Sequence, residues 1–290
     1  MSMSVNTNIA SLNAQRNLQG NQGAVATSMQ RLSSGLRVNS AKDDAAGLAI
    51  AERMNSQVRG MNQAVRNSND GISMTQTAEA ALGKVGDSLQ RMRELAVQSA
   101  NDSNNTSDRD SLDKEFGELA KEIQRVMGNT SFNGKKILGA DSNETTGYQF
   151  QIGANTSSDD TIAIKTKNMT TAAEITTVAG TDNTGAGRSV IDNTADNAAI
   201  HTVMDNIDKA IDLVNNERAT MGANQSRFES VISNLQSASE SQSAAKSRIM
   251  DTDFAAETAN LSRAQILQQA GTAMLAQANQ QPQQVMSLLR

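Results

Sequence analysis

The chain of 290 residues contains no cysteine, a single proline and few aromatic side chains. The absence of cysteine excludes disulfide bonds and thiolate metal sites. The one proline is Pro282, so no proline breaks a helix in the rest of the sequence before it. Aromatic residues make up only 2%, although they usually supply much of the buried area in a globular core. The apolar residues are mainly Ala, Leu, Ile, Val and Met, which suits long helices packed side by side.

Long apolar runs and clusters of positive charge are also missing. No segment approaches the roughly 18 apolar residues of a membrane-spanning helix, so no membrane insertion is expected. The N-terminal stretch MSMSVNTNIASLN has neither the basic nor the apolar region of a secretory signal peptide. No basic patch suits phosphate contacts, so nucleic acid is not expected as a partner. Residues 141–199 carry eight acidic and three basic side chains, which accounts for the whole net charge of -5.

The sequence offers no residue constellation for catalysis or for holding a cofactor. His201 is the only histidine and is predicted at the solvated start of a helix. With one histidine and no cysteine, a zinc site is not expected, and the motifs HExxH and GxxxxGK[ST] do not occur. The stretch 185–187 has two glycines but lacks the third glycine of a dinucleotide-binding loop. We therefore expect no enzyme activity and no cofactor.

Apolar residues recur at intervals of three and four over most of the chain, which predicts amphipathic helices. The predicted helices cover residues 3–32, 46–100, 111–127, 198–249 and 254–289. The pattern is strongest in 46–100, where a rise of about 1.5 Å per residue predicts a helix roughly 80 Å long. Helices of this length without internal caps are typical of coiled coils and filaments.

Composition changes to Thr, Asn, Asp, Gly and Ser between residues 139 and 199. Apolar and polar residues alternate in 148–152 and 162–164, which predicts the two strands of a small hairpin. Just before this region, Asn133-Gly134 predicts a tight turn. Residues 176–194 are predicted to form loops or a minimal sheet.

The predicted fold is mainly α, a long antiparallel coiled-coil helical hairpin with paired terminal helices and a small β-hairpin insert. Three predicted domains follow from this order. They are paired terminal helices (1–45 and 251–290), a coiled-coil rod (46–138 and 198–250), and a small β-containing insert (139–197).

The terminal helices contain few charges and carry apolar residues on more than one face, so a pair of them alone would expose apolar surface. Neighbouring copies of the chain could cover that surface, and contacts that do not close would produce a helical filament. We expect the terminal helices to become ordered on assembly. An intramolecular four-helix bundle is the alternative. The residues assigned to self-assembly are Ile9, Leu12, Leu32, Leu36, Leu261, Leu267, Met274 and Leu288.

The segment 30–51, QRLSSGLRVNSAKDDAAGLAIA, joins the first two predicted helices. Gly35 is the predicted helix end, because glycine takes the left-handed capping conformation without steric cost. Ser40 is the predicted N-cap of the next helix, with Asp43 at the spacing of a capping box. Asp43 and Asp44 are then expected in the first helical turn, where the helix dipole favours negative charge.

Several long motifs make the chain resemble bacterial flagellin along nearly its full length. They are MSVNTNIASLNAQRNL near the start, the segment 30–51, LQRMRELAVQSAN (89–101), NTSFNGKKIL (129–138) and SRIMDTDFAAETANLSRAQILQQAGTAMLAQANQ (247–280). The resemblance implies a structural subunit that self-assembles into the flagellar filament used for swimming motility. It also implies an extracellular protein, exported through the flagellar type III apparatus without a cleaved signal peptide. The short middle region implies that large outer domains are absent.

The resemblance further implies a set of partners. These are other copies of the chain, an export chaperone, the filament cap and the hook-associated junction proteins. Host innate immune receptors are implied as well. The positions matching the epitope of a plant receptor kinase lie in 30–51 and include Gln30, Arg31, Ser40, Asp43 and Asp44. The positions matching determinants of an animal Toll-like receptor are Arg91, Leu95 and Glu115. Two alternative functions stay open, a hook–filament junction protein and a secreted, monomeric coiled-coil adhesin.

Overall fold

A computed structural model describes residues 7–288 of the chain, with the backbone alone for residues 281–288. Within this range the chain is mainly α-helical, as predicted, with two short β-hairpins. The elements are α1 (Ile9–Ser34), α2 (Ala45–Ser99), α3 (Thr106–Asn129), β1 (Ser131–Phe132), β2 (Lys135–Lys136), β3 (Tyr148–Gln151), β4 (Thr161–Ile164), α4 (Ala173–Ala179), α5 (Asn197–Met250) and α6 (Phe254–Leu288). The long helices run where the apolar periodicity predicted them.

The chain divides into two compact units. The central unit is Gln57–Ser239, and the terminal unit combines the residues up to Ser56 with those from Glu240 onward. Helices α2 and α5 therefore each contribute to both units.

In the central unit, α2 and α5 pack antiparallel to each other. Arg93 on α2 contacts Asp208 on α5 at 2.6 Å, and Gln225 donates to Glu79 at 2.8 Å. Farther along, the ring of Phe228 lies against Gly71. Residue numbers fall along α2 as they rise along α5, which is the arrangement of an antiparallel pair. The largest fully buried side chains on the central helices include Leu82, Leu89, Met92, Leu95, Phe116, Ile123, Met127 and Phe228.

The non-helical region buries one side in this same core. The predicted turn and the two predicted strands are found. Asn133 and Gly134 have positive φ values of 49° and 79°, as a two-residue hairpin turn requires. Strand β3 pairs antiparallel with β4, with Phe150 opposite Ile162. Ile162 is 1% exposed and belongs to the core that also contains the central helices.

Helix α4 was not predicted, since its residues 176–179 fall within the segment expected to form loops or sheet. Its sequence AEITTVA is rich in β-branched residues, which have low helix propensity. Ile175 and Val178 are fully buried, so packing against the core outweighs the weak local preference.

In the terminal unit, α1 and α6 pack antiparallel. The Asn8 side chain donates to the Ala278 carbonyl at 2.7 Å, and Gly271 lies against Leu18. Arg31 faces Glu257 at 3.8 Å. The helix ends are joined by backbone hydrogen bonds, including Thr252 N–H to the Gly35 carbonyl at 2.9 Å.

In the segment between α1 and α2, the predicted helix end is found but the predicted start of the next helix is wrong. Gly35 ends α1 in the left-handed conformation with φ 70°, as predicted. The next helix begins at Ala45, later than Ser40 would allow, and the carboxylate of Asp44 caps it by accepting the Gly47 N–H at 2.8 Å. Asp43 instead accepts hydrogen bonds from the Ser40 hydroxyl and N–H, at 3.0 and 2.9 Å, and closes a turn before the helix. These hydrogen bonds from Ser40 lower the pKa of Asp43.

Candidate assembly and recognition surfaces

Exposed large apolar side chains of the described residues are concentrated in the terminal unit. Val97 and Val190 are the examples from the central unit. The terminal unit contributes Ile9, Leu12, Met29, Ile50, Phe254, Ile266, Leu267 and Met274. Ile9 is 68% exposed and Ile266 is 66% exposed, values far above those of side chains that form a core. The terminal helices therefore present apolar faces that their own pairing does not cover.

The residues that become buried between α1 and α6 are small or polar, whereas Leu18, which packs against Gly271, is half-buried. Ser11, Ser28 and Ala264 are buried there, and the Ser11 hydroxyl donates to Asn279 at 2.8 Å. Glu257 is also buried, opposite Arg31. Burial of such residues removes little apolar area from water, so the pairing gains little hydrophobic stabilisation.

This geometry places the predicted self-assembly residues in two groups. Ile9, Leu12, Leu267 and Met274 are exposed, whereas Leu32, Leu36 and Leu261 are half-buried. The side chain of Leu288 lies outside the described residues. The spacing of seven between the two exposed α6 members puts them on one helical face.

Further exposed apolar residues lie on the terminal helices beside the predicted set. Met29, Phe254 and Ile266 are exposed on the same helices but were not in the predicted set. Leu18, which is not in the predicted set, packs against Gly271. The contact face also includes buried Ser11, Ser28 and Ala264, which an apolar stripe does not identify. A search for small residues at helical spacing could have found it.

Arg91 bridges α2 and α3 at the surface of the central unit. Its Nε donates to Glu115 Oε1 at 2.9 Å, and its Nη1 donates to Glu94 Oε2 at 2.9 Å. Hydrogen bonds to Glu94 and Glu115 raise the pKa of Arg91. The side chains of Arg91 and Glu115 are each 49% exposed, whereas Leu95 is fully buried in the core. The structure thus presents Arg91 and Glu115 together and keeps the Leu95 side chain beneath them.

The predicted plant-epitope residues differ in exposure. Gln30, Ser40, Asp43 and Asp44 are exposed, and Arg31 is half-buried beside Glu257. Ser40 and Asp43 form the hydrogen-bonded turn, so their side chains are held in one arrangement.

Within residues 7–288, no three His, Asp or Glu side chains gather as a metal site would require. In the same part of the chain, no helix combines the length and apolar character needed to cross a membrane. His201 is exposed at the start of α5. Paired terminal helices with exposed apolar side chains are features of a helical structural protein with a surface that another molecule could cover.

Comparison with known proteins agrees with this class. Residues 5–144 match the bacterial flagellin N-terminal helical region, and residues 204–289 match the bacterial flagellin C-terminal helical region. A flagellin of Halalkalibacterium halodurans is 47% identical over 288 residues, covering 99% of this chain and 100% of the relative. A flagellin of Bacillus subtilis is 42% identical over 309 residues, covering 99% and 100%. The crystal structure of Bacillus cereus flagellin has 31% identity and a TM-score of 0.46, covering 59% of this chain and 88% of that one.

The chain therefore belongs to the bacterial flagellin family. It is a structural subunit that self-polymerises into the extracellular flagellar filament, and it is not an enzyme. The alternatives of a junction protein or a secreted adhesin are not favoured.

Proposed function

We propose that the terminal helices α1 and α6 make the contacts that hold neighbouring filament subunits together. The supporting observation is that large apolar side chains on both helices stay 46–68% exposed in the subunit. The proposed contact residues are Ile9, Leu12, Leu32, Leu36, Leu261, Leu267, Met274 and Leu288, joined by Met29, Phe254 and Ile266. Full burial of one Leu, Ile or Met side chain contributes about 1.5–3 kcal/mol. A few such side chains per contact would stabilise a long polymer of heterologous contacts.

The proposed division of the subunit follows from the same contrast. Residues 1–45 and 251–290 would form the filament core, and 46–138 with 198–250 the surrounding rod. Residues 139–197 would face solvent on their outer side, consistent with the excess of acidic side chains there.

The assembly proposal is tested by Leu267→Gln, with Val97→Gln as the matched control. Both residues are exposed and apolar, but Val97 lies in the central unit. We expect Leu267→Gln to leave the unfolding of the monomer nearly unchanged, since the side chain is already solvated. We also expect it to raise the critical concentration for assembly by about tenfold, as measured by sedimentation of filaments.

Equal effects of the two substitutions on sedimentation would contradict a special role for the terminal helices. Normal filaments from Leu267→Gln at wild-type concentrations would remove this residue from the proposed contacts.

We further propose that Arg91 and Glu115 form the surface read by an animal Toll-like receptor, with Leu95 supporting it from the core. Arg93→Ala is the matched control for Arg91→Ala. Both arginines are exposed and ion-paired, but Arg93 pairs with Asp208 on α5. Arg91→Ala is expected to lower receptor activation by dilute monomer in a reporter-cell assay, while Arg93→Ala keeps it. Unchanged activation by Arg91→Ala would refute the proposal.

The remaining partners are proposed from family membership. They are a plant receptor kinase reading Gln30, Arg31, Ser40, Asp43 and Asp44, together with an export chaperone, the filament cap and the hook-associated junction proteins. Export through the type III apparatus without a cleaved signal peptide belongs with these proposals. Direct binding of a peptide spanning residues 30–51 to the receptor ectodomain tests the first of them. No binding by the peptide, or equal binding by one with Asp43 and Asp44 changed to Ala, would refute that role.

A further inference from the structure

We propose that Met29 and Met274 are oxidant-sensitive modification sites, and that their conversion to methionine sulfoxide in the free subunit blocks its addition to the filament. The inference rests on the proposed burial of these side chains in subunit contacts. Oxidation of the two thioethers would then control whether those contacts can form.

Among the described methionines, two are exposed, and both lie on the terminal helices. Met29 is 57% exposed on α1, and Met274 is 63% exposed on α6. The other described methionines are half-buried or buried, and the buried ones are Met74, Met92, Met127, Met169, Met221 and Met250. A dissolved oxidant therefore reaches two described thioethers freely, and both lie on the terminal helices.

Neither sulfur is needed for packing inside the subunit. An exposed side chain contributes little to the stability of the folded monomer, so these two thioethers do not stabilise the subunit. Met274 shares the apolar α6 face with Leu267, seven residues earlier, which is the surface proposed to meet another copy. Met29 follows half-buried Val25 by one helical turn, next to the predicted contact residue Leu32.

The chemistry needs one oxidant, hydrogen peroxide. The thioether sulfur attacks a peroxide oxygen, a sulfur–oxygen bond forms as the oxygen–oxygen bond breaks, and water leaves after proton transfer. Sulfur is oxidised by two electrons and the peroxide is reduced to water. The product replaces a flexible apolar side chain with a polar one, which disrupts methionine-rich contacts.

The consequence differs between free and assembled subunits. In the monomer, a sulfoxide at either position stays solvated and leaves the fold intact. At a subunit contact it must be buried without a prepared hydrogen-bond partner, which is unfavourable. Two sulfoxides per subunit would raise the critical concentration by roughly tenfold or more.

The test begins with purified full-length monomer and hydrogen peroxide, followed by peptide mass spectrometry and sedimentation of filaments. We expect Met29 and Met274 to gain oxygen before the buried methionines, with unchanged far-ultraviolet circular dichroism and lost assembly. The variant Met29→Leu/Met274→Leu keeps apolar volume and helix propensity but cannot be oxidised at these positions. It should assemble normally and keep assembling after the same peroxide treatment.

Loss of assembly by the oxidised double variant would overturn the proposal, since other methionines would then carry the effect. If the double variant does not assemble before oxidation, Met29→Gln and Met274→Gln single variants replace it. These polar mimics should each raise the critical concentration, and normal assembly by both would overturn the proposal.

Failure of the underlying assembly proposal has a different signature. Peroxide treatment of preformed filaments should leave Met29 and Met274 reduced if subunit contacts cover them. Equal oxidation in filament and monomer would refute their burial. Protection in the filament combined with normal assembly of oxidised monomer would instead refute the modification proposal alone.

Discussion

The central and terminal units of this flagellin differ in what their helices bury. In the central unit, long paired helices enclose Phe, Leu, Ile and Met side chains that are almost completely removed from water. In the terminal unit, α1 and α6 bury Ser11, Ser28 and Ala264, whereas large apolar residues such as Ile9 and Ile266 stay exposed. The same helix type thus forms a closed core in one unit and an open surface in the other.

Charge distribution supports the same contrast. The exposed surface of the central unit carries ion pairs such as Arg91 with Glu115 and Arg93 with Asp208. Helices α1 and α6 carry few charges, and Arg31 with Glu257 is an ion pair found between them. Charged surfaces keep a unit soluble by itself, whereas a low-charge apolar surface favours burial against another molecule. This contrast supports the proposal that copies of the chain cover the terminal unit, whereas the central unit is complete without them.

The largest expected effect comes from removing a core ring of the central unit. Phe228 lies fully buried against Gly71 and meets the ring of Phe150 edge-on at 5.8 Å. Phe228→Ala leaves a cavity and removes this aromatic contact, so we expect a loss of about 3–5 kcal/mol in the free energy of unfolding. Urea denaturation of the monomer followed by circular dichroism measures it.

Phe254→Ala provides the matched substitution in the terminal unit. Phe254 is 56% exposed at the start of α6, so its removal should change monomer unfolding by less than about 0.5 kcal/mol. Assembly should weaken instead. Similar losses of monomer stability in Phe228→Ala and Phe254→Ala would contradict the difference in burial between the two units.

A smaller effect is expected at the ion pair that ties the acidic insert to α3. Arg188 donates to both carboxylate oxygens of Asp113, at 2.9 and 2.5 Å, and the Ile191 N–H donates to the same carboxylate at 3.0 Å. Burial of Asp113 opposes its ionisation, but these hydrogen bonds outweigh burial and lower its pKa below the ordinary 3.8. Asp113→Asn should destabilise the monomer by about 1–3 kcal/mol at neutral pH.

The pH dependence gives the sign of this contribution. Because the folded-state pKa of Asp113 is lowered, its stabilisation is present above pH 3.8 and is lost as pH falls through the folded-state value. Wild type should therefore lose more stability on acidification than Asp113→Asn, as measured by urea midpoints between pH 7 and pH values near 3. Asp208 belongs to an exposed ion pair, so Asp208→Asn should barely alter the dependence of stability on pH. Parallel acid profiles for wild type and Asp113→Asn would contradict the assignment.

Much of the fold follows from local sequence patterns. Heptad spacing in α2, the glycine that ends α1 and the Asn133-Gly134 turn each depend on neighbours in sequence, and each was predictable. Helix α4 was not, because its Thr and Val residues favour strands locally and burial of Ile175 and Val178 against the core stabilises the helix.

The candidate surfaces were less predictable than the elements that carry them. Apolar periodicity identifies which residues avoid water, but it does not say whether the cover is the same chain or another copy. Leu95 has the sequence context of a recognition residue, and its burial emerges only when α2 and α3 are packed. Helix start sites have a similar ambiguity, since Ser40, Asp43 and Asp44 all suit capping and the choice depends on the preceding turn.

The smallest expected effect tests that choice at the start of α2, on the terminal-unit side. Asp44 caps the helix through the Gly47 N–H, so Asp44→Ala should reduce stability by about 1 kcal/mol. Ser40→Ala removes a hydroxyl that only donates to Asp43 in an exposed turn, and its effect should be clearly smaller. Amide hydrogen exchange of residues 45–48 localises the change, because loss of the cap lets the first turn of α2 fray. If Ser40→Ala increases exchange in this turn more than Asp44→Ala does, then α2 begins at Ser40 in solution, as the sequence pattern predicted.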